Sequence, residues 1–429
     1  MNYASTFLSH NSKDKPLVEL VARELGRRGI VPWLDVDELD TELGGDLNDA
    51  LAESVRRQAT LTLFLSEHSL NAPWVQHELE TALQIQQELG DAVIFPVYIG
   101  DPLKLVAGHE RLRTRWLHPD GQRVKIMGEI VEPGTAKIED AVRIAQKIAK
   151  GLYRRLQFAE RREAIVCLDQ RGNGGKRTSN PPIPANLREL NAPALVFRHD
   201  RGERSREVTV HGEELNQLLE TIGRSLGEAF GTIRIQPKAI YLCGEAQLAL
   251  PFMIGKHFDR TTSTTMYCFN SRDGNTFSNK GQDRLKPLAN GNANCETSVP
   301  PEIPEIALGE QITDAALLLV KENYVSDVLN YMKATSQPFR PVWVKGVEFS
   351  NSEQAMNYVA DVVALLARLK RENGLNRVRL FIDLPFAVTP LLAANLLYAA
   401  PKIEVMEFRK DLLSKGFLAE DLYFEVPSP

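Results

Sequence analysis

Trp74 and Glu78 stand four residues apart in the run WVQHE. On a helix that spacing puts an indole and a carboxylate on one face, a turn apart. The indole can stack on a flat ring while its polar edge stays wet. The carboxylate can hold hydroxyls and stabilise positive charge that develops as a bond breaks, the electrostatic logic of glycosidic cleavage. Taken alone, the same pair is more often a packing aromatic and a solvated acid. Other chemistries find less support. The cysteines Cys167, Cys243, Cys268 and Cys295 form no CxxC pair, so neither a zinc knuckle nor a disulfide framework follows. Lys176 sits in a Gly-rich loop, but a phosphate-binding GxxxxGK[ST] pattern would need Gly where Gln170 stands. No Asp/Glu/Lys or His cluster suits metal-assisted phosphodiester cleavage. His10 and His77 have no partner that suggests a nucleophile or a metal ligand.

The elements that must position the pair are readable from periodicity. Apolar runs over 3–8, 31–34, 60–65 and 93–98 read as strands, and amphipathic runs over 16–28, 46–58 and 74–89 as helices. Short apolar strands alternating with such helices predict a parallel sheet covered on both faces. The ligand crevice of such a sheet lies outside the carboxyl ends of its strands. That gathers residues 9–12, 35–45 and 66–73 around one cleft, with Trp74 at its rim and Glu78 one turn inward. Residues 101–135, punctuated by Pro102, Gly108, Pro119, Gly121, Pro133 and Gly134, read as irregular. A charged helix over 137–162 closes this part, and 171–184 is a polar loop rich in Gly and Pro.

At 429 residues the chain exceeds one ordinary core, and 43% hydrophobic with 25% charged residues is globular composition. Its net charge of −5 hides an asymmetry: residues 1–100 hold 7 Lys and Arg against 16 Asp and Glu, the remainder 44 against 40. An acidic first part joined to a mildly basic remainder predicts different partners for each, without the basic coat that grips duplex nucleic acid. The first residues lack a secretory pattern, and no apolar run reaches the roughly 18 residues that span a bilayer. A soluble cytoplasmic protein, away from membranes, is expected.

Three blocks occur in order: FLSHNSKD at 7–14, PWLDVDELDTELGGDL at 32–47 and LFLSEHSLNAPWVQHELETAL at 63–83. In this order and spacing they resemble a Toll/interleukin-1 receptor (TIR) domain, over about the first 100 residues and on into the helix after 137. The resemblance implies a flavodoxin-like parallel-sheet fold over 1–158. It also implies cleavage of the nicotinamide–ribose bond of NAD+, with Glu78 as the catalytic residue and NAD+ as substrate; no cofactor is expected. Ser9, His10, Trp33, Asp35, Ser66 and Trp74 are then the expected substrate-lining residues. The acidic stretch 37–46 matches the family's loop for TIR–TIR contact, and a merely solvated loop is an equal reading of it.

Beyond about residue 160 a doubled unit appears. One copy runs strand 194–198, helix 213–230, strand 239–243 and GEAQLALPFMIGKHF. The other runs strand 315–320, helix 352–371, strand 378–382 and DLPFAVTPLLAANLL. Pro251 aligns with Pro390, and Gly244 with Asp383, at one constant offset. Each Pro suits a helix's first turn, so both copies place a helix N-terminus at a strand end, a setting friendly to anions. Two copies side by side predict a shared pocket with pseudo-twofold symmetry.

The runs IVCLDQRG at 165–172, PALVFRHD at 193–200 and LFIDLPFAVTPLLAANLL at 380–397 resemble a SAVED domain, made of two fused CARF-like, Rossmann-like α/β halves. Its expected extent is 159–429, with halves at about 160–305 and 306–429. TIR and SAVED together look like the TIR-SAVED effectors of bacterial cyclic-oligonucleotide antiphage signalling (CBASS). That resemblance implies a cyclic oligoadenylate ligand, commonly the trinucleotide (cyclic tri-adenylate). It further implies head-to-tail self-association into an oligomer or filament, and destruction of NAD+. Candidate ligand contacts are Arg198, His199, Gln247, Arg272, Lys321, Tyr324, Asp383 and Phe386, since Arg can grip phosphate and Phe or Tyr can stack on adenine. The competing expectation is a non-catalytic, nucleotide-gated TIR scaffold that recruits other TIR proteins.

Overall fold

The computed structural model describes residues 2–34, 60–89, 94–126, 128–134, 136–170, 183–190, 192–199, 212–231, 237–258, 264–269, 276–279, 297–298, 313–335, 339–345, 348–396, 402–408 and 423–426. The expected helix over 46–58 and most of the 171–184 loop lie outside these. The chain divides into two compact units. The first comprises residues 1–161 with 177–181 and 188–199; the second comprises the remainder.

In the first unit a short β1 (Asn2–Tyr3) precedes β2 (Ser5–Ser9), β3 (Val31–Trp33), β4 (Thr60–Leu65), β5 (Ile94–Ile99) and β6 (Glu129–Val131). The last five form one sheet in the order β3-β2-β4-β5-β6, every pair parallel. Numbered among themselves, these strands run 2-1-3-4-5, the flavodoxin order, and the order reverses between β2 and β4. All five residues of β2 and the last five of β4 are buried, as strands covered on both faces require. Thr6 and Thr62 meet inside that layer, hydroxyl to hydroxyl at 2.9 Å. The helix Pro73–Leu89 packs Val75, Leu79, Ala82 and Leu83 into the same core as Phe7, Leu61, Leu63 and Leu65.

Residues 101–135 are more regular than the punctuation suggested. They hold helices Pro102–Gly108 and Glu110–Trp116 as well as β6. Asp101 caps the first by accepting from Leu103 N–H at 2.9 Å, with Pro102 in the first turn. His109 caps the second through Leu112 N–H. The breakers there end one short helix and start the next. The closing helix is also shorter than expected, Ile138–Arg155, because Gln157 takes a left-handed conformation (φ 53°) before a short 3-10 turn.

The second unit holds two sheets. In one, β7 (Glu163–Asp169) pairs in parallel with β9 (Ala239–Glu245), β9 with β10 (Thr265–Phe269), and β10 antiparallel with β11 (Thr276–Ser278). The other has the order β12-β14-β13-β15-β16-β17. Its strands are β12 (Thr297–Ser298), β13 (Asp314–Leu319), β14 (Arg340–Val344), β15 (Arg377–Ile382), β16 (Lys402–Phe408) and β17 (Tyr423–Val426). There β13 pairs in parallel with β14 and β15, β15 with β16, and β16 antiparallel with β17. The series β7, β9, β10, β11 thus repeats as β13, β15, β16, β17. This supports the doubled unit and corrects one detail of it: the counterpart of the strand near 315–320 is β7, not the strand at 194–198. Sequence order misled because both are short apolar runs.

That other strand, β8 (Pro193–Arg198), clusters with the first unit. It pairs in parallel with β1, and Ala4 N–H donates to Ala194 and Val196 N–H to Gly29, at 3.0 and 2.9 Å. Helices Ala249–His257 and Thr389–Leu396, equivalent through Pro251 and Pro390, are predominantly apolar and almost wholly buried. They pack on one another so closely that a Cβ on Gly255 would lie 2.1 Å from the Pro390 carbonyl oxygen. The C-terminal half of one thus meets the first turn of the other.

Candidate functional site

The switch point between β2 and β4 brings most of the expected first-unit residues to one end of the sheet. Ser9 is the last residue of β2, 1% exposed, and its buried hydroxyl has no hydrogen-bond partner among the described residues. His10 follows, buried, with Nδ1 2.9 Å from the Leu8 carbonyl. A carbonyl only accepts, so Nδ1 carries the proton and donates it. Trp33 ends β3 half-buried against the core of Phe7, Leu61 and Val75. Ser66 follows β4 and is buried. Asp35 and the 37–46 loop lie outside the described residues.

The turn after β4 delivers the helix Pro73–Leu89, and Trp74 occupies its second position. Glu78 is 3% exposed. It belongs to the series 75, 78, 79, 82, 83, the spacing of a single helix face, whose other members are apolar and buried. A carboxylate therefore occupies a core-facing position five residues into the helix, about 7 Å along its axis from the crevice end. Burying an ionisable side chain is costly unless the surroundings compensate it, and such costs concentrate at functional sites. Spacing alone showed the shared face of Trp74 and Glu78. It did not show that Glu78 is buried.

Asp14 was missed. It precedes Lys15-Pro16 and reads as an ordinary helix cap, yet it makes no side-chain cap bond to that helix. Its carboxylate instead accepts from Ser66 Oγ at 2.7 Å, across the switch point. No local sequence signal marks a partner 52 residues away.

In the second unit, Lys321, Tyr324, Asp383 and Phe386 collect at the carboxyl ends of neighbouring strands β13 and β15. The strand order of that sheet reverses between these two. Lys321 and Asp383 are exposed, Tyr324 and Phe386 half-buried. Asp383 N–H donates to Leu319 at 2.9 Å, and Tyr324 packs beside the core of Ala316, Leu318 and Phe381. Gln247 holds the position equivalent to Phe386 in the first copy, but it is buried. Its amide oxygen accepts from Gln170 Nε2 and its N–H donates to Gln170 Oε1, both at 2.8 Å. That reciprocal pair ties the ends of β7 and β9 together. Arg198 and His199 belong to the first unit, not to this group. Arg272 lies outside the described residues. Among the described residues no His/Cys/Asp/Glu group could hold a metal ion, and no helix is long and apolar enough to cross a membrane.

Residues 6–123 match the family model described as TIR domain, so the chain carries a TIR domain at its N-terminal end. Over 98 residues it is 29% identical to the disease resistance protein TAO1 of Arabidopsis thaliana, a stretch covering 22% of this chain and 8% of that protein. The chain therefore spans under a tenth of that relative's length. Among solved structures it is similar to the Cap4 SAVED/CARF-domain containing receptor of Acinetobacter baumannii. With the cyclic trinucleotide 3'3'3'-cAAA bound to that receptor, the TM-score is 0.41 at 11% identity, covering 88% of this chain and 85% of that one. The form with 2'3'3'-cAAA gives the same TM-score and identity.

Proposed function

We propose that this chain is an NAD+ glycohydrolase activated by a cyclic oligoadenylate, acting in bacterial antiphage defence as a TIR-SAVED effector. The observation that carries the reading is Glu78, a carboxylate on the core-facing stripe of the helix that opens at the switch point of a TIR sheet. NAD+ is the substrate and binds across the carboxyl ends of β2 and β4, with Trp74 stacking on a flat ring and Ser9 and His10 lining the floor. As nicotinamide departs, positive charge grows on the ribose, and the Glu78 carboxylate stabilises it. Nicotinamide leaves from an already cationic ring, so it needs no proton, and one carboxylate suffices.

Gating belongs to the second unit. Its doubled strand–helix architecture and the cation–aromatic group of Lys321, Tyr324 and Phe386 suit a small ring of phosphodiesters and adenines. Such a ligand shifts assembly only by binding the assembled state more tightly than the separate chain. The test mixes full-length protein with NAD+, with and without cyclic tri-adenylate. Nicotinamide release should require the ring and fall by about 100-fold or more in Glu78→Gln. Release without the ring would remove the gating claim, and release unchanged in the variant would remove Glu78 from the chemistry. Ligand-driven assembly without NAD+ loss would favour the TIR scaffold.

A further inference from the structure

The Ser66 hydroxyl has no capacity left for a ligand. It donates to Asp14 Oδ2 at 2.7 Å and accepts from the backbone N–H groups of His68 and Ser69 at 3.2 and 3.1 Å. One proton and two lone pairs are all that a serine hydroxyl offers. Ser69 closes the turn from its other end: its Oγ accepts from Ser66 N–H at 2.8 Å and donates to the Ser66 carbonyl at 3.1 Å. Leu70 N–H also donates to that carbonyl, at 3.2 Å. Gln76 Nε2 then donates to the Leu70 carbonyl at 2.9 Å, fastening the turn to the helix that carries Glu78. Asp14, Ser66 and Ser69 are all buried. A second tie joins the same two segments, Asn11 Nδ2 donating to the His68 carbonyl at 3.4 Å.

We infer that Asp14 and Ser66 are positioning residues for the reaction at Glu78. Their bond locks the loop after β2 to the turn after β4, and so sets the depth and heading at which the helix Pro73–Leu89 delivers Trp74 and Glu78. The inference rests on the NAD+ reading above and takes Ser66 out of the expected substrate contacts. Truncating either partner leaves a buried polar group unsatisfied and frees the turn to shift. Displacement of catalytic groups by about 1 Å costs on the order of 100-fold in rate.

The test uses the full chain with cyclic tri-adenylate, reading kcat and KM for nicotinamide release and amide exchange at His68 and Ser69. In Asp14→Ala and Ser66→Ala, kcat should fall about 10- to 100-fold with KM within about twofold, the signature of a lost transition-state arrangement. Asp14→Asn keeps an acceptor oxygen and should restore most of the rate; it also serves where the alanine variant does not fold. The double alanine variant should be no slower than Ser66→Ala alone, because Asp14 acts only through its bond to Ser66, which that variant already lacks. A raised KM with intact kcat in Ser66→Ala would make Ser66 a substrate contact and overturn the inference. Unchanged kcat in both alanine variants would overturn it too. Amide exchange separates the lock from the reaction. Absence of nicotinamide release in the unaltered protein sinks the NAD+ reading, whereas unaltered exchange in Asp14→Ala sinks the lock itself.

Discussion

A glutamate facing a protein core needs something to replace water, and Glu404 on β16 shows how the second unit supplies it. It is 2% exposed and accepts from Arg379 Nε at 3.0 Å, Arg379 Nη2 at 2.7 Å and Lys402 Nζ at 2.8 Å. The Arg379 and Arg377 guanidiniums lie over the Phe339 ring, 4.2 and 4.4 Å from its centre. Burial by itself pushes the Glu404 carboxyl up; the bonds from Lys402 and Arg379, with their positive charge, outweigh that and hold it below the usual carboxylate range. A lowered folded-state value means the carboxylate contributes stability above its unfolded value of about 4.3, and loses it as pH falls through the folded one. Stability measured by urea unfolding should therefore decline as pH drops below about 4.3, and Glu404→Gln should flatten that decline. At neutral pH Glu404→Ala should cost about 3 kcal/mol, since it leaves Arg379 buried without its counter-charge. None of these partners was singled out from sequence: Arg379 and Glu404 lie 25 residues apart and meet only through the register of β15 and β16.

At the scale of elements, the helices Ala249–His257 and Thr389–Leu396 of the second unit pack backbone against backbone. Gly255 has backbone against it, not a flexible side-chain end, so Gly255→Ala must move a helix. It should destabilise by about 1–3 kcal/mol or more, read as a lowered melting temperature and a lower urea midpoint. Gly151, in the helix Ile138–Arg155, has nothing within 4 Å of a built Cβ, so Gly151→Ala should instead stabilise by about 0.5–1 kcal/mol. Opposite signs for one chemical change would show that packing, rather than helix propensity, sets the cost at Gly255. The constant offset that aligns Pro251 with Pro390 and Gly244 with Asp383 revealed these helices and the repeat that relates them. Periodicity missed Pro102–Gly108 and Glu110–Trp116, whose short lengths show little period and whose caps stand among loop-forming residues.

For the whole molecule, the acidic first part and mildly basic remainder fit the proposed division into a catalytic module and a sensor of a small polyanion. If a neighbour's TIR domain completes each cleft, activity must follow the population of assembled chains. Light scattering and nicotinamide release should then rise together as cyclic tri-adenylate is titrated, and both should scale with protein concentration. A rate per chain that stays constant over a hundredfold dilution at saturating ligand, about 2.7 kcal/mol of mass action, would place the complete site within one chain.

The α/β class, the parallel first sheet, the position of Glu78 four residues beyond Trp74 and the doubling of the second part were all legible in the amino-acid sequence. The first three follow from periodicities and spacings within single segments, and the doubling from matching two segments at a constant offset. Tertiary structure decided what depends on distant segments meeting. It placed Glu78 on the buried face, spent the Ser66 hydroxyl on Asp14, tied Gln247 to Gln170, drew β8 to the first unit and matched β7 rather than β8 with β13. The physical reason is the same in each case. A residue's local pattern states which face it shares, but only strand order and packing state what stands opposite that face.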